Sequence, residues 1–220
     1  MEPSAAAAKE VGRRAGTDES GKGDFFGPLV IAAVACDFKQ GVALSDWGIT
    51  DSKKLSDGRA IKLADEIKKA SIPHAVIAIG PAKYNELYAK FKNLNRMLAW
   101  GHARAIENLL EQVDVDIIIA DQFGDESLIE RALFEKGRKI RLVQMPRGEQ
   151  DIAVAAASVM ARAEFLQRLN ALGKEFGVTL PKGAGAPVDA VGRQILKSQG
   201  LDVFSRIAKT HFKNLIKVQN

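Results

Sequence analysis

Leu29-Val-Ile-Ala-Ala-Val-Ala-Cys36 is an unbroken apolar run of strand length, and Asp37 ends it. A strand that is apolar on both faces needs a covering layer on each side, so it belongs at the centre of a sheet packed between helices. A β-branched run from Val115 to Ala120 has the same character and stops at Asp121. Segments of helical period alternate with these runs. Ser56 caps one through about Ala70, with Ile61, Leu63 and Ile67 as apolar positions. Asn95 to Val113 sets Leu98, His102, Ala105, Ile106, Leu109 and Leu110 along one face, and Ile152 to Leu172 is long and Ala-rich.

The remaining stretches complete the pattern. Ala15 to Glu19 reads as a strand end, Ala75 to Ile79 as a strand, and Pro81 as the opening of a helix. Ser127 to Lys136 is expected to be helical and Lys139 to Met145 extended. Pro181 to Pro187 is expected to be a loop, and Asp189 to Ser198 and Val203 to Lys209 helical. The glycine-rich Ser20-Gly21-Lys22-Gly23-Asp24 turn lets the first two strands pair. Strands paired first and then alternating with helices define an α/β chain with a mixed sheet flanked by helices. Residues 1–14 are expected to be a flexible lead-in, and residues 15–220 one domain with a helical C-terminal region.

Composition excludes several classes. Apolar residues make up 46% and charged residues 27%, which suits a packed core and argues against a disordered chain. No apolar run approaches the roughly 20 residues of a membrane-spanning helix, and the N-terminus lacks a signal pattern, so no membrane partner is expected. Cys36 is the single cysteine, which rules out an internal disulfide and a cysteine zinc site and suits a reducing cytoplasm. It is expected to be a small buried hydrophobe. The net charge of +5 is compatible with a polyanionic partner.

Three acidic positions stand out. Asp18-Glu19 lies at a strand end, where acids are depleted; alone, the pair fits a solvated strand end as well as a site. Asp121 terminates a buried strand at its C-terminal tip, where α/β sheets bind ligands, or it serves as a helix cap. Glu149 and Asp151 precede the Ala-rich helix, where Asp151 is placed to be the cap and Glu149 is freer to face a site. If these acids converge, their repulsion demands cations, and oxygen-only ligands favour Mg²⁺ or Mn²⁺. Two such ions about 3.5–4 Å apart can activate water against a phosphodiester. Backbone amides in Gly21-Lys22-Gly23 can hold an anion or hydroxyl. The third glycine of a dinucleotide fingerprint is missing, which disfavours a small-molecule enzyme.

Gly16-Thr-Asp-Glu-Ser-Gly-Lys-Gly-Asp-Phe-Phe-Gly-Pro28 resembles the opening motif of type 2 ribonucleases H, and its Lys-Gly-Asp-Phe-Phe portion resembles ribonuclease HIII. Asp51-Ser-Lys-Lys-Leu-Ser56, Asn93-Leu-Asn-Arg-Met-Leu-Ala99 with His102, Ala155-Ala-Ala-Ser-Val-Met-Ala-Arg162, Pro181-Lys-Gly-Ala184 and Lys209-Thr-His-Phe212 resemble later blocks in family order. The resemblance implies a ribonuclease H-like fold. It also implies an endonuclease that cuts the RNA strand of RNA–DNA hybrids with two Mg²⁺ or Mn²⁺ ions, leaving 5′-phosphate and 3′-hydroxyl ends; a monomer is expected. Asp18, Glu19 and Asp121 match the first three acids of the family, and Glu149 is assigned as the fourth, ahead of Asp151 and Glu164. Ser20, Gly21, Lys22 and Gly23 would contact substrate near the 2′-hydroxyl. Lys53, Lys54, Ser158, Arg162 and Lys182 would complete the substrate contacts. His102 is expected to be a hydrogen-bonded core histidine.

Ribonucleases HIII usually carry an N-terminal substrate-binding domain, for which the stretch before the motif is too short. Ribonucleases HII use a C-terminal tyrosine at single embedded ribonucleotides, whereas Tyr84 and Tyr88 lie well before that region. Efficient cutting at such positions is therefore not expected. An enzyme acting at embedded ribonucleotides and a non-catalytic nucleic-acid binder on the same fold are the alternatives.

Overall fold

The computed structural model describes residues 12–50, 52, 55–121 and 127–220. Lys53 and Lys54 lie outside the described residues, as does most of the expected lead-in. The sheet has five strands in the order β3-β2-β1-β4-β5: β1 (Arg14–Ser20), β2 (Leu29–Cys36), β3 (His74–Ile79), β4 (Ile117–Asp121) and β5 (Arg141–Met145). All eight residues of β2 are buried, as its apolar run requires. Strands β1, β4 and β5 run parallel, with Thr17 registered on Ala120 and Ala120 on Gln144. Helices flank this mixed sheet, as expected of an α/β chain.

Alternation along β1 assigns a helix to each face. A Cβ on Gly16 would lie 2.1 Å from the Val154 nitrogen, so α6 (Ile152–Glu175) packs backbone to backbone on the face shared by Gly16 and Asp18. Its Ala-rich stretch from Ala153 to Ala157 is buried, which this close approach needs. Thr17 and Glu19 face the other way, toward His102 of α4 (Leu94–Leu110).

Two compact units make up the chain: one of residues 12–19, 31–77 and 95–163, the other of residues 20–30, 78–94 and 164–220. The first unit contains α1 (Phe38–Asp46), α2 (Asp57–Lys69) and α5 (Ser127–Ala132), with most of α4 and the first half of α6. The second contains α3 (Pro81–Phe91), α7 (Ala186–Gln199), α8 (Phe204–Ile207) and α9 (Lys213–Gln219). No helix among the described residues is long and apolar enough to cross a membrane. Cys36 is buried, and burial pushes its thiol up to about 11, as befits an inert core side chain.

Several boundaries differ from expectation for local reasons. Helix α1 was not anticipated; Asp37 and Gln40 form a capping box, with Gln40 N donating to Asp37 Oδ1 at 2.8 Å and Asp37 N to Gln40 Oε1 at 3.1 Å. Helix α5 stops at Ala132 rather than Lys136, because the Glu107 carboxylate captures the Lys136 and Gly137 amides at 3.0 Å each. Helix α7 begins at Ala186, inside the expected loop, with Pro187 in its first turn. The helix expected through Lys209 ends at Ile207, since Ala208 bridges to Phe26 and the Lys209 amide donates to the Phe25 carbonyl. Helix α9 follows it unanticipated.

Candidate active site

The site is built on the C-terminal tips of two neighbouring parallel strands. Asp18 and Asp121 each lie one step beyond the registered pair Thr17 and Ala120, so they stand side by side on the face that α6 covers. Adjacent strands are about 5 Å apart, which puts the two carboxylates within reach of a shared ion.

Asp18 is held tightly. Its Oδ1 accepts the Glu19 amide at 2.8 Å, and the Ser158 hydroxyl also bonds to its carboxyl. Burial of the carboxyl, with the Glu19 charge next in importance, pushes its pKa up to about 6 despite those bonds and the opposing influence of His102. Asp18 is part-exposed as a residue, so the protein packed around its carboxyl, not enclosure of the whole side chain, is what disfavours the charge. A carboxyl in such surroundings ionises more readily when a cation stands beside it.

Glu19 points to the opposite face and is held by a relay. The Thr17 hydroxyl gives its single proton to the Ala32 carbonyl at 2.9 Å. Its 2.9 Å contact with His102 therefore needs Nδ1 to donate. His102 Nε2 lies 3.1 Å from Glu19 Oε2, and a further proton, on ring or carboxyl, completes that bond. His102 is 1% exposed. It is the hydrogen-bonded core histidine that the sequence suggests, but it also orients an acid at the site. Thr17 and its role had no counterpart in the sequence reading.

Asp121 Oδ1 accepts the Gly148 amide at 2.9 Å. A Cβ on Gly148 would come within 2.8 Å of the Asp121 Cα, so only glycine lets the two backbones approach this closely. That contact brings the turn Gly148–Gln150, and with it Glu149, next to the end of β4. Glu149 lines a cavity of about 600 Å³ with Ser45, Thr50, Arg147 and Gln150. The two rival acids are engaged elsewhere. Asp151 accepts the Ala153 amide as the cap of α6 and pairs with Arg14 at 2.9 Å, at the far end of β1 from Asp18. Glu164, in the second unit, pairs with Arg168 at 2.6 Å.

The donor set is all oxygen, which suits Mg²⁺ or Mn²⁺. Among the described residues, no three acidic, histidine or cysteine side chains are drawn into one cluster that could hold a metal ion. Asp18 and Asp121, neighbours in register, are the pair whose carboxylate chemistry suits such an ion.

Ser158 and Arg162 serve the chain itself rather than open space. Ser158 shares a 2.6 Å bond with Ser52, and Arg162 bonds to the Ser52 carbonyl and pairs with Asp57 at 2.7 Å. Both therefore brace Ser52, and Arg162 also ties it to the start of α2. In the second unit, Gly21 has φ +87°, and a Cβ there would strike the Pro28 carbonyl at 2.2 Å. A Cβ on Gly23, by contrast, would meet nothing within 4 Å among the described residues. Lys22 is half-buried and Lys182 exposed. Tyr84 and Tyr88, distant from the C-terminal region in sequence, stack on His211 there with ring centroids 5.6 and 3.9 Å away.

Residues 15–215 match the ribonuclease HII family. Ribonuclease HIII of Protochlamydia amoebophila is 46% identical over 91% of the chain and 66% of its own length. Ribonuclease HIII of Chlamydia abortus is 46% identical over 96% of the chain and 71% of its own. The chain thus spans about two thirds of the length of these relatives. The crystal structure of Bst-RNase HIII in complex with Mn²⁺ superposes with a TM-score of 0.88 at 32% identity, covering 100% of this chain and 73% of that one. The acids at the strand tips, the glycine turn and this agreement along the chain converge: it belongs to the ribonuclease HII family, in the company of ribonucleases HIII, and is a ribonuclease H.

Proposed function

We propose that the chain hydrolyses the RNA strand of RNA–DNA hybrids at a two-metal centre, leaving 5′-phosphate and 3′-hydroxyl ends. The observation that carries this reading is the parallel register of β1 and β4, which sets Asp18 beside Asp121. Asp18 and Asp121, with Glu19 and Glu149, would hold Mg²⁺ or Mn²⁺. Bound there, the ions would supply an activated water and charge stabilisation for the leaving oxygen. The Mn²⁺ in the related Bst-RNase HIII supports the choice of metal.

The chain's own groups do the rest. His102 holds Glu19 in its orientation, and Ser158 does the same for Asp18. Ser20, Gly21, Lys22 and Gly23 would meet the RNA strand at its 2′-hydroxyl, which separates RNA from DNA. Lys182, with Lys53 and Lys54, would contact phosphates, and the second unit holds the chain's excess of positive charge.

A gel assay on labelled RNA–DNA, RNA–RNA, DNA–DNA and DNA with one embedded ribonucleotide, with Mg²⁺ or Mn²⁺, tests this. Cutting is expected for the first duplex alone, and Asp18→Asn and Asp121→Asn are expected to abolish it while the circular dichroism spectrum stays native. Near-full activity in either variant removes that residue from the site. Strong cutting of the fourth duplex replaces the reading with an enzyme for embedded ribonucleotides.

A further inference from the structure

The loop between β1 and β2 carries the Gly21-Lys22-Gly23 turn, and it does not stand on its own hydrogen bonds. Within the turn the Asp24 amide reaches the Gly21 carbonyl at a long 3.3 Å. Its main support comes from later in the chain. Lys209 is 0% exposed, and its ammonium donates to the carbonyls of Asp24 and Gly27, at 2.8 Å each. Those two carbonyls bracket Phe25 and Phe26, both fully buried. The Lys209 amide donates to the Phe25 carbonyl at 2.9 Å, and the Gly27 amide donates to Ile207 O at 2.9 Å. The 205–210 segment is itself held by Asn85, which donates to the Ser205 and Ala208 carbonyls and accepts the Thr210 amide.

The same loop is tied to the segment bearing Lys182. The Gly183 amide donates to Asp24 Oδ1 at 2.5 Å, and the Phe25 amide donates to the Gly183 carbonyl at 2.9 Å. Gly183 has φ +84°, a conformation that suits glycine and lets both of its backbone groups turn toward Asp24 and Phe25. Two segments far apart in sequence are thereby locked together.

A fully buried lysine is costly. Burial drives its pKa down to about 7. A leucine or methionine would fill the space without that penalty, so the two carbonyl bonds are what the ammonium group contributes there.

We propose that Asp24 and Lys209 are positioning residues that hold the glycine turn and the Lys182 segment in one arrangement and so set the affinity and the RNA-over-DNA selectivity of substrate binding. This rests on the reading that the turn touches the 2′-hydroxyl. Neither residue touches substrate; each acts through the loop it holds. The prediction is a separation of constants. Asp24→Ala and Lys209→Met are expected to raise KM for the hybrid about tenfold or more while kcat changes less than about threefold. Both are expected to reduce the preference for a hybrid over the same duplex with a 2′-deoxynucleotide 5′ of the cleaved bond. Asp24→Asn keeps an oxygen for the Gly183 amide and is expected to restore KM.

Gly23→Ala separates this proposal from the one it rests on, because a Cβ there meets nothing among the described residues. If Gly23→Ala leaves KM and selectivity unchanged, the turn does not touch substrate and the underlying reading fails. If Gly23→Ala raises KM while Asp24→Ala leaves it unaltered, the turn is read but is not held by Asp24, and the positioning proposal is overturned. A parallel fall in kcat and thermal stability, with KM and selectivity intact, likewise overturns it. Should Lys209→Met fail to fold, the Asp24→Ala and Asp24→Asn pair decides the matter.

Discussion

Asp18 and Glu19 are chain neighbours whose side chains leave β1 on opposite faces. Their environments differ accordingly. Asp18 lies under α6, where burial and the adjacent charge disfavour ionisation, whereas Glu19 is held by the imidazole of His102. Removing that imidazole takes a hydrogen-bond partner from Glu19 and unpairs the Thr17 hydroxyl from the ring. If Glu19 holds metal as proposed, His102→Ala is expected to cost about 10–100-fold in hybrid cleavage, the usual penalty for losing a group that orients a metal ligand. Steady-state cleavage at saturating Mg²⁺ measures it; activity within twofold of wild type would show that Glu19 needs no such support. Asp18 and Asp121 stand out in the sequence because buried strands rarely end in carboxylates. The relay was not, because the link between Thr17 and His102 spans 85 residues and no local pattern reports it.

Close packing of α6 on β1 is what brings Asp18 under Ser158. It depends on Gly16, where an added methyl would meet the backbone of Ala153 and Val154, and backbone cannot step aside as a side chain tip can. Gly16→Ala is therefore expected to lower stability by about 1–3 kcal/mol, in line with overpacked cores. Gly101→Ala should cost less, because its new methyl meets the Ile31 side chain and the substitution favours the helix. Thermal denaturation of the two variants compares them, and an equal or reversed order would contradict the packing account. Of the elements, the long apolar runs and periodic helices were readable from sequence. Helix α1 was overlooked although Asp37 and Gln40 carry a capping box, and α5 was overextended because Glu107, on another helix, intercepts the amides that would continue it.

At the scale of the whole molecule, the four acids lie in the first unit and the glycine turn and Lys182 in the second, and the chain passes repeatedly between the two. The second unit was the least legible part. Its order rests on a buried lysine, on backbone carbonyls and on the aromatic cluster of Phe25, Phe26, Phe204 and Phe212, none of which has a sequence period. The preference for Glu149 among the later acids, already argued from its place outside the helix cap, gains a geometric reason: Asp151 and Glu164 are paired, and Glu149 sits beside the turn that Asp121 holds. The proposed catalysis depends on Asp18 and Asp121 sharing divalent cations. Crystals of the protein soaked in Mn²⁺ and measured where manganese scatters anomalously test this directly. The expected result is anomalous density bonded to carboxylate oxygens of both residues, with Glu149 turned toward it. Saturating Mn²⁺ that leaves these two side chains without density, while occupying other acids, would contradict the account.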